Sequence, residues 1–193
     1  LSFVGPLIFG TLLAAALSLV LATPVAMGIA LFISHYAPRR LASTLGYVVD
    51  LLAAIPSVVY GLWGSLVLPP VVVPVWSWLA DTLGWFPLFA GPASPTGRVL
   101  LTVALVLAVM ILPIITAVSR EVFLQTPKLH EEAALALGAT RWEMIRTAVI
   151  PFGRSGVISA AMLGLGRALG ETMAVLMILS PGLLCAVLIL QAG

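Results

Sequence analysis

Long stretches of this sequence carry no charge at all. Residues 1–38 hold no Asp, Glu, Lys or Arg, and neither do residues 51–80, 99–119 or 172–193. A bilayer span needs about 20 consecutive, mainly apolar residues, and each stretch is long enough to supply one. A soluble fold would have to cover itself with polar surface. That surface is missing here: 8% of the 193 residues are charged, against about 25% in ordinary soluble domains. With 62% hydrophobic residues and one cysteine, a soluble enzyme, a secreted disulfide scaffold and a disordered tail are excluded. The chain is an integral membrane protein. Cys185 allows no internal disulfide, fits no metal spacing, and reads as a packing residue.

Four hydrophobic segments stand out, at about 4–33, 45–68, 99–119 and 156–179. All are expected to be helices. A lipid-exposed segment must satisfy its own backbone hydrogen bonds, and the alternation of barrel strands is absent. Pro24, Pro56 and Pro113 lie inside three of them and predict kinks or broken turns. The expected fold is an all-α, polytopic transmembrane helical bundle with four spans, a single domain over residues 1–193.

The connections fix an orientation. The first carries Arg39 and Arg40, and the third, residues 120–155, carries Arg120, Lys128, Arg141, Arg146 and Arg154. The second, residues 69–97, has Asp81 as its only charge. Basic connections stay in the cytoplasm, so residues 69–97 and both termini are expected outside. The net charge of +2 and pI near 9.1 therefore reflect orientation, not nucleic-acid binding. Within 69–97, Trp76, Trp78 and Trp85 predict a short interfacial helix, with a substrate-contacting aromatic as the alternative. The chain starts at Leu1 without an initiator Met or signal-peptide pattern and ends at Ala192-Gly193 without a polar tail. Both ends are expected to be cuts in a longer protein.

Residues 120–155 are the most polar stretch. Thr126-Pro127 predicts an N-cap followed by proline at the first helical position. The helix should run through Leu137 and stop at Gly138. Thr140 and Glu143 have capping-box spacing, and the second helix they open should reach Ile150 and be punctuated by Pro151. Glu132, Ala133, Ala134, Gly138 and Pro151 together resemble the EAA loop of binding-protein-dependent ABC transporter permeases. That pattern reads EAA, three residues, Gly, nine residues, Ile, one residue, Leu-Pro. Here Ala148 stands for the Ile and Ile150 for the Leu. The resemblance implies the MetI-like importer fold, with Glu132, Ala133, Ala134 and Gly138 coupling the chain to a cytoplasmic ATPase.

The fourth segment contains Arg167 and Glu171. Arg167 lies about 12 residues past the basic connection, which at the helical rise is roughly 18 Å and near the bilayer centre. A charge there costs about 2.5–3.5 kcal/mol on insertion scales, so it is expected to face a bundle interior or a wet pathway. Four residues apart on a helix, Arg167 and Glu171 would share one face. Gly164, Gly166 and Gly170 would let a neighbouring backbone come close. Two readings stay open: a structural ion pair, or an anion site. For an anion site, guanidinium presents planar paired donors to an oxyanion, and a carboxylate alongside suits hydrogen phosphate, whose P–OH can donate to it, better than sulfate. Pro56 would break the helix ladder, so that Ser57 and Tyr60 present polar atoms to the pathway or merely satisfy a kink. His35 and His130 have no partner motif and read as solvated.

The run from Gly166 to Val175, with Ile55 to Gly61 and Ile111 to Ile114, resembles the membrane subunits of the high-affinity phosphate (Pst) transporters, most closely the PstC type. That resemblance implies an importer of inorganic phosphate in the cytoplasmic membrane of a bacterium or archaeon. Its partners would be ABC ATPase subunits, a second and paralogous permease, an extracytoplasmic phosphate-binding protein and the lipid bilayer. Chains of this type carry one more helix at each end, in keeping with a fragment. No Gly-x4-Gly-Lys-Ser/Thr loop is present, so the chain binds no cofactor of its own, and ATP and Mg belong on the partner ATPase. Sulfate or molybdate transport is the nearest alternative. A non-transport assembly protein is a more distant one, and a membrane enzyme would need intramembrane catalytic groups that are missing here.

Overall fold

The computed structural model describes residues 4–83 and 100–172, together with 174, 175 and 178. Among these residues there is no strand. The helices are α1 (Val4–Leu31), α2 (Arg39–Ala53), α3 (Ser57–Leu66), α4 (Pro69–Leu83), α5 (Leu100–Leu124), α6 (Lys128–Ala136), α7 (Arg141–Met144) and α8 (Ile150–Gly170). Single π-helical turns follow α1, at Phe32–Tyr36, and join α7 to α8, at Ile145–Val149.

Among the described residues, three continuous helical runs are long and apolar enough to cross a membrane: Ile8–Tyr36, Leu100–Leu124 and Arg141–Gly170. Even the shortest, at 25 residues, reaches about 37 Å against a hydrocarbon core of about 30 Å. The expected second span is not one helix. α2 stops at Ala53 and α3 starts at Ser57, so the count is three spans, or up to four if the broken pair is one. Pro56, extended at φ −59° and ψ 137°, donates no N–H, and its ring keeps Ile55 out of the helical region. Pro24 and Pro113 are instead absorbed inside α1 and α5.

Two further boundaries differ from expectation. α5 continues to Leu124, so Arg120 lies on it and the third connection is shorter than 120–155. The final helical run begins at Arg141, not near residue 156, and α8 ends at Gly170. Pro151 does not end a helix. In a regular α-helix its ring would press on the Thr147 carbonyl and offer it no donor. The wider turn just before it, with the Ile150 N–H on the Ile145 carbonyl, relieves both problems and lets the helix run on. Of the region 69–97, α4 forms through Leu83 and leaves Trp78 63% exposed; Trp85 and Phe86 lie outside the described residues.

The chain divides into two compact units, residues 1–18, 56–107 and 169–193 in the first, and 19–55 and 108–168 in the second. In the first, α3 meets α5 where Gly64 faces Val106; a Cβ at Gly64 would stand 2.6 Å from a Val106 methyl. In the second, Ala30, Leu31, Phe123, Met144, Ile145, Val149 and Val157 form a core, with Met27, Ala134 and Ile150 packed against it. There α8 lies along α5 through Gly153, Gly156 and Gly164, where any Cβ would collide with Phe123, Val122 and Ile115 respectively. Helix association in lipid depends on close backbone packing, since apolar burial gains little there. α1 shows the same device: Ala14, Ser18, Ala22, Ala26 and Ala30, at every fourth position, are all buried.

Candidate functional site

The loop that carries Glu132 is built by strong local signals. α6 begins one residue later than expected, with Pro127 extended at the cap position and no side-chain cap. Thr126 is therefore not the N-cap. It is buried, and its hydroxyl has no partner among the described residues. At the other end Gly138 adopts φ +84°. The Ala139 N–H bonds the Ala134 carbonyl at 3.2 Å, and the Gly138 N–H bonds that of Leu135 at 3.0 Å. This is a complete Schellman turn, and its left-handed residue is where glycine avoids a Cβ penalty.

The capping box then forms as the spacing predicts. The Glu143 carboxylate accepts from the Thr140 N–H at 2.7 Å and its hydroxyl at 2.8 Å, while the Glu143 N–H donates to Thr140 Oγ1 at 3.3 Å. The reversal between α6 and α7 is thus hydrogen-bonded on both sides of two residues, Gly138 and Ala139.

Glu132, Ala133, Ala134 and Gly138 do not all face one way. Glu132 and Ala133 are exposed, as is Gly138, whereas Ala134 packs on the core of the second unit. Glu132 and Ala133 are the more open of the triplet, while Ala134 is partly buried. Beside them runs an open groove of about 430 Å³, lined by Ala133, Ala134, Leu137, Ala148, Pro151 and Phe152 among others. Leu137 is 89% and Leu129 74% exposed, so this face of the loop offers apolar side chains as well as a carboxylate.

One support was not legible in the sequence. His35, expected to be solvated, has its ring largely buried between the Ser34 hydroxyl, 2.7 Å from Nδ1, and Glu131 Oε1, 3.5 Å from Nε2. It ties the π-turn after α1 to α6, one residue before Glu132. Arg120 and Asp50 also pair, at 3.6 Å, across α5 and α2. The available signal was Gly46 four residues before Asp50: a bare patch of backbone on the same helix face as an acid is where a long cation can lie.

The intramembrane candidates are arranged otherwise than expected. Arg167 is in the last turn of α8, half-buried, in the second unit. Because α8 ends at Gly170, Glu171 does not continue its face, and the i, i+4 relation is not formed. Glu171 Oε1 instead accepts the Ala174 N–H at 3.1 Å, the position an N-capping side chain takes, and residues 174 and 175 are helical again. Of the three flanking glycines, only Gly164 sits at a close approach; a Cβ at Gly166 or Gly170 would meet nothing within 4 Å. Ser57 opens α3, directly after the Pro56 break, and Tyr60 is buried one turn on, both in the first unit. Among the described residues no group of His, Cys, Asp and Glu could hold a metal ion.

Comparison with known proteins accounts for this architecture. The chain is 57% identical over 171 residues to the phosphate transport system permease protein PstC 2 of Mycobacterium tuberculosis, covering 88% of this chain and 53% of that protein. It is 46% identical over 188 residues to the phosphate transport system permease protein PstC of Xylella fastidiosa, covering 92% and 57%. With the corresponding protein of Haemophilus influenzae it shares 44% over 180 residues, covering 89% and 56%. The chain thus spans little more than half the length of these relatives. Residues 22–192 match the family described as binding-protein-dependent transport system inner membrane component. With a multi-pass helical fold and a structured loop carrying that family's spacing, the chain belongs to the binding-protein-dependent transport system inner membrane components.

Proposed function

We propose that this chain is the membrane-spanning part of an ATP-driven importer that moves inorganic phosphate across the cytoplasmic membrane of a bacterium or archaeon. The observation that carries the reading is 44–57% identity, over most of the chain, to proteins named as phosphate transport permeases. ATP and Mg²⁺ reside on separate ATPase subunits, which dock on the loop through Glu132, Ala133 and the apolar groove beside them. The double hydrogen-bonded reversal at Gly138 and Thr140 favours that role, because a rigid loop transmits a push that a floppy one would absorb. A second, paralogous permease completes the pathway, and an extracytoplasmic binding protein supplies phosphate.

Within the membrane, the Arg167 guanidinium offers paired donors to the phosphate oxygens as the pathway opens to each side in turn. Glu171 accepts a hydrogen bond from the P–OH, and Ser57 and Tyr60 supply polar contacts at the helix break. The test is ATP-dependent uptake of phosphate, sulfate and molybdate into vesicles holding the full-length permease pair, the ATPase and the binding protein. Phosphate alone should accumulate. Loss of the charged hydrogen bonds in Arg167→Ala should slow uptake at least about tenfold. Glu171→Gln, whose amide oxygen still accepts the Ala174 N–H, should assemble normally and yet transport poorly. Uptake of sulfate or molybdate in place of phosphate would overturn the substrate assignment. Full-rate phosphate uptake by both variants would remove Arg167 and Glu171 from the pathway.

A further inference from the structure

The second unit holds an open cavity of about 620 Å³ that the transport reading leaves unused. Three cations from three helices line it: Arg39 at the start of α2, Arg120 near the end of α5 and Lys128 at the start of α6. Asp50 is the one carboxylate among the lining residues. It stands 3.6 Å from Arg120, too far for a hydrogen bond, and is half exposed. Among the described residues no acidic group lies within ion-pair distance of Arg39 or Lys128. The Arg120 guanidinium lies directly on the backbone of Gly46, where any Cβ would overlap it, and its Nε is buried without an acceptor among the described residues. The cavity therefore has an excess of positive charge and donors still lacking partners.

Exposed apolar side chains adjoin these cations: Tyr47, 70% exposed, and the exposed Leu124 line the cavity, and Leu51, one turn beyond Tyr47 on the same face of α2, is 71% exposed. A free ion needs no such apolar surface, whereas a phosphodiester that carries acyl chains does. Basic pockets between transmembrane helices on the basic side of the membrane are suited to anionic lipid headgroups. We propose that this cavity binds the phosphate group of an anionic phospholipid, its oxygens on Arg39, Arg120 and Lys128 and its acyl chains along Tyr47, Leu51 and Leu124.

The same oxyanion chemistry would accept inorganic phosphate, so the experiment has an arm for each source. The assembled transporter, full-length and with its partner subunits, is reconstituted in phosphatidylcholine with or without phosphatidylglycerol, extracted, and weighed intact by mass spectrometry. Phosphatidylglycerol should stay bound through delipidation that strips phosphatidylcholine. Each cation near a membrane surface contributes about a fivefold factor, so R39Q/K128Q, which leaves the Arg120–Asp50 pair intact, should lower retention roughly 25-fold. Asp50→Asn should raise it, a direction that mere damage to the fold would not produce. Equal retention of the two lipids, or unchanged retention in R39Q/K128Q, overturns the proposal. Displacement of phosphatidylglycerol by millimolar inorganic phosphate also overturns it and reassigns the cavity to the free ion.

Discussion

At Gly138 the backbone turns through φ +84°, and a Cβ built there would meet nothing within 4 Å. Space is therefore not the constraint; conformation is. An L side chain in the left-handed region costs about 1–2 kcal/mol, and asparagine tolerates it better than alanine. Gly138→Ala should lower the melting temperature of the assembled transporter more than Gly138→Asn does, and equal shifts would show that the loop relaxes out of the Schellman turn. His35 and Glu131 make a different residue-scale case, because the contact joins elements far apart in sequence. Partly buried and in direct contact, they should show a coupling of about 0.5–1 kcal/mol in a double-mutant cycle of His35→Ala and Glu131→Gln on thermal stability. Additive single effects would mean that the pair is incidental.

At the scale of helices, both π-turns stand just ahead of a proline, Pro38 in one case and Pro151 in the other. Each ends in an i→i+5 bond, from the Ala37 N–H to the Phe32 carbonyl and from the Ile150 N–H to that of Ile145. Ala37 is extended at ψ 137°, so the helix ends and α2 starts anew, whereas Ile150 stays helical at φ −63° and ψ −46° and the helix runs on. The α8–α5 contact sets the strongest element-level constraint. Gly164→Val would drive a branched side chain into Ile115 and Ile111 and should destabilise by about 1–3 kcal/mol. Gly166→Ala, two residues away on an open face, should be neutral or gain up to about 1 kcal/mol from helix propensity. Thermal unfolding of the two variants in detergent checks the contrast, and similar losses in both would contradict the packing.

Across the described residues, seven basic side chains all fall in the second unit, at positions 39, 40, 120, 128, 141, 146 and 154. Such a bias is what orients a multi-pass protein. Cysteines placed at the exposed Leu129 and Leu137 should react with a membrane-impermeant maleimide from the cytoplasmic face only. One placed at exposed Trp78 should react from the other face only. Labelling of all three from one side would refute the expected topology.

How much of this was legible beforehand follows from the range of each interaction. The charge-free runs gave the membrane class, and Thr140 with Glu143 and Gly138 gave the reversal in the loop, because capping and left-handed turns involve neighbours within a few residues. Local signals misled where two compete. Pro56 and Pro151 look alike in the sequence, yet one stands at a helix break and the other is carried inside a helical run. Arg167 and Glu171 have helical spacing, but the helix ends between them at Gly170, and Glu171 caps the next turn instead. Composition and local spacing alone settle the class, the family's loop spacing and the placement of charge, all set by solvent and by short-range backbone chemistry. Long-range packing is what places Ala134 against the core, brings His35 to Glu131, and lays Arg120 across Gly46 to line a basic cavity. Those contacts join segments tens of residues apart, and no local rule specifies which of them will meet.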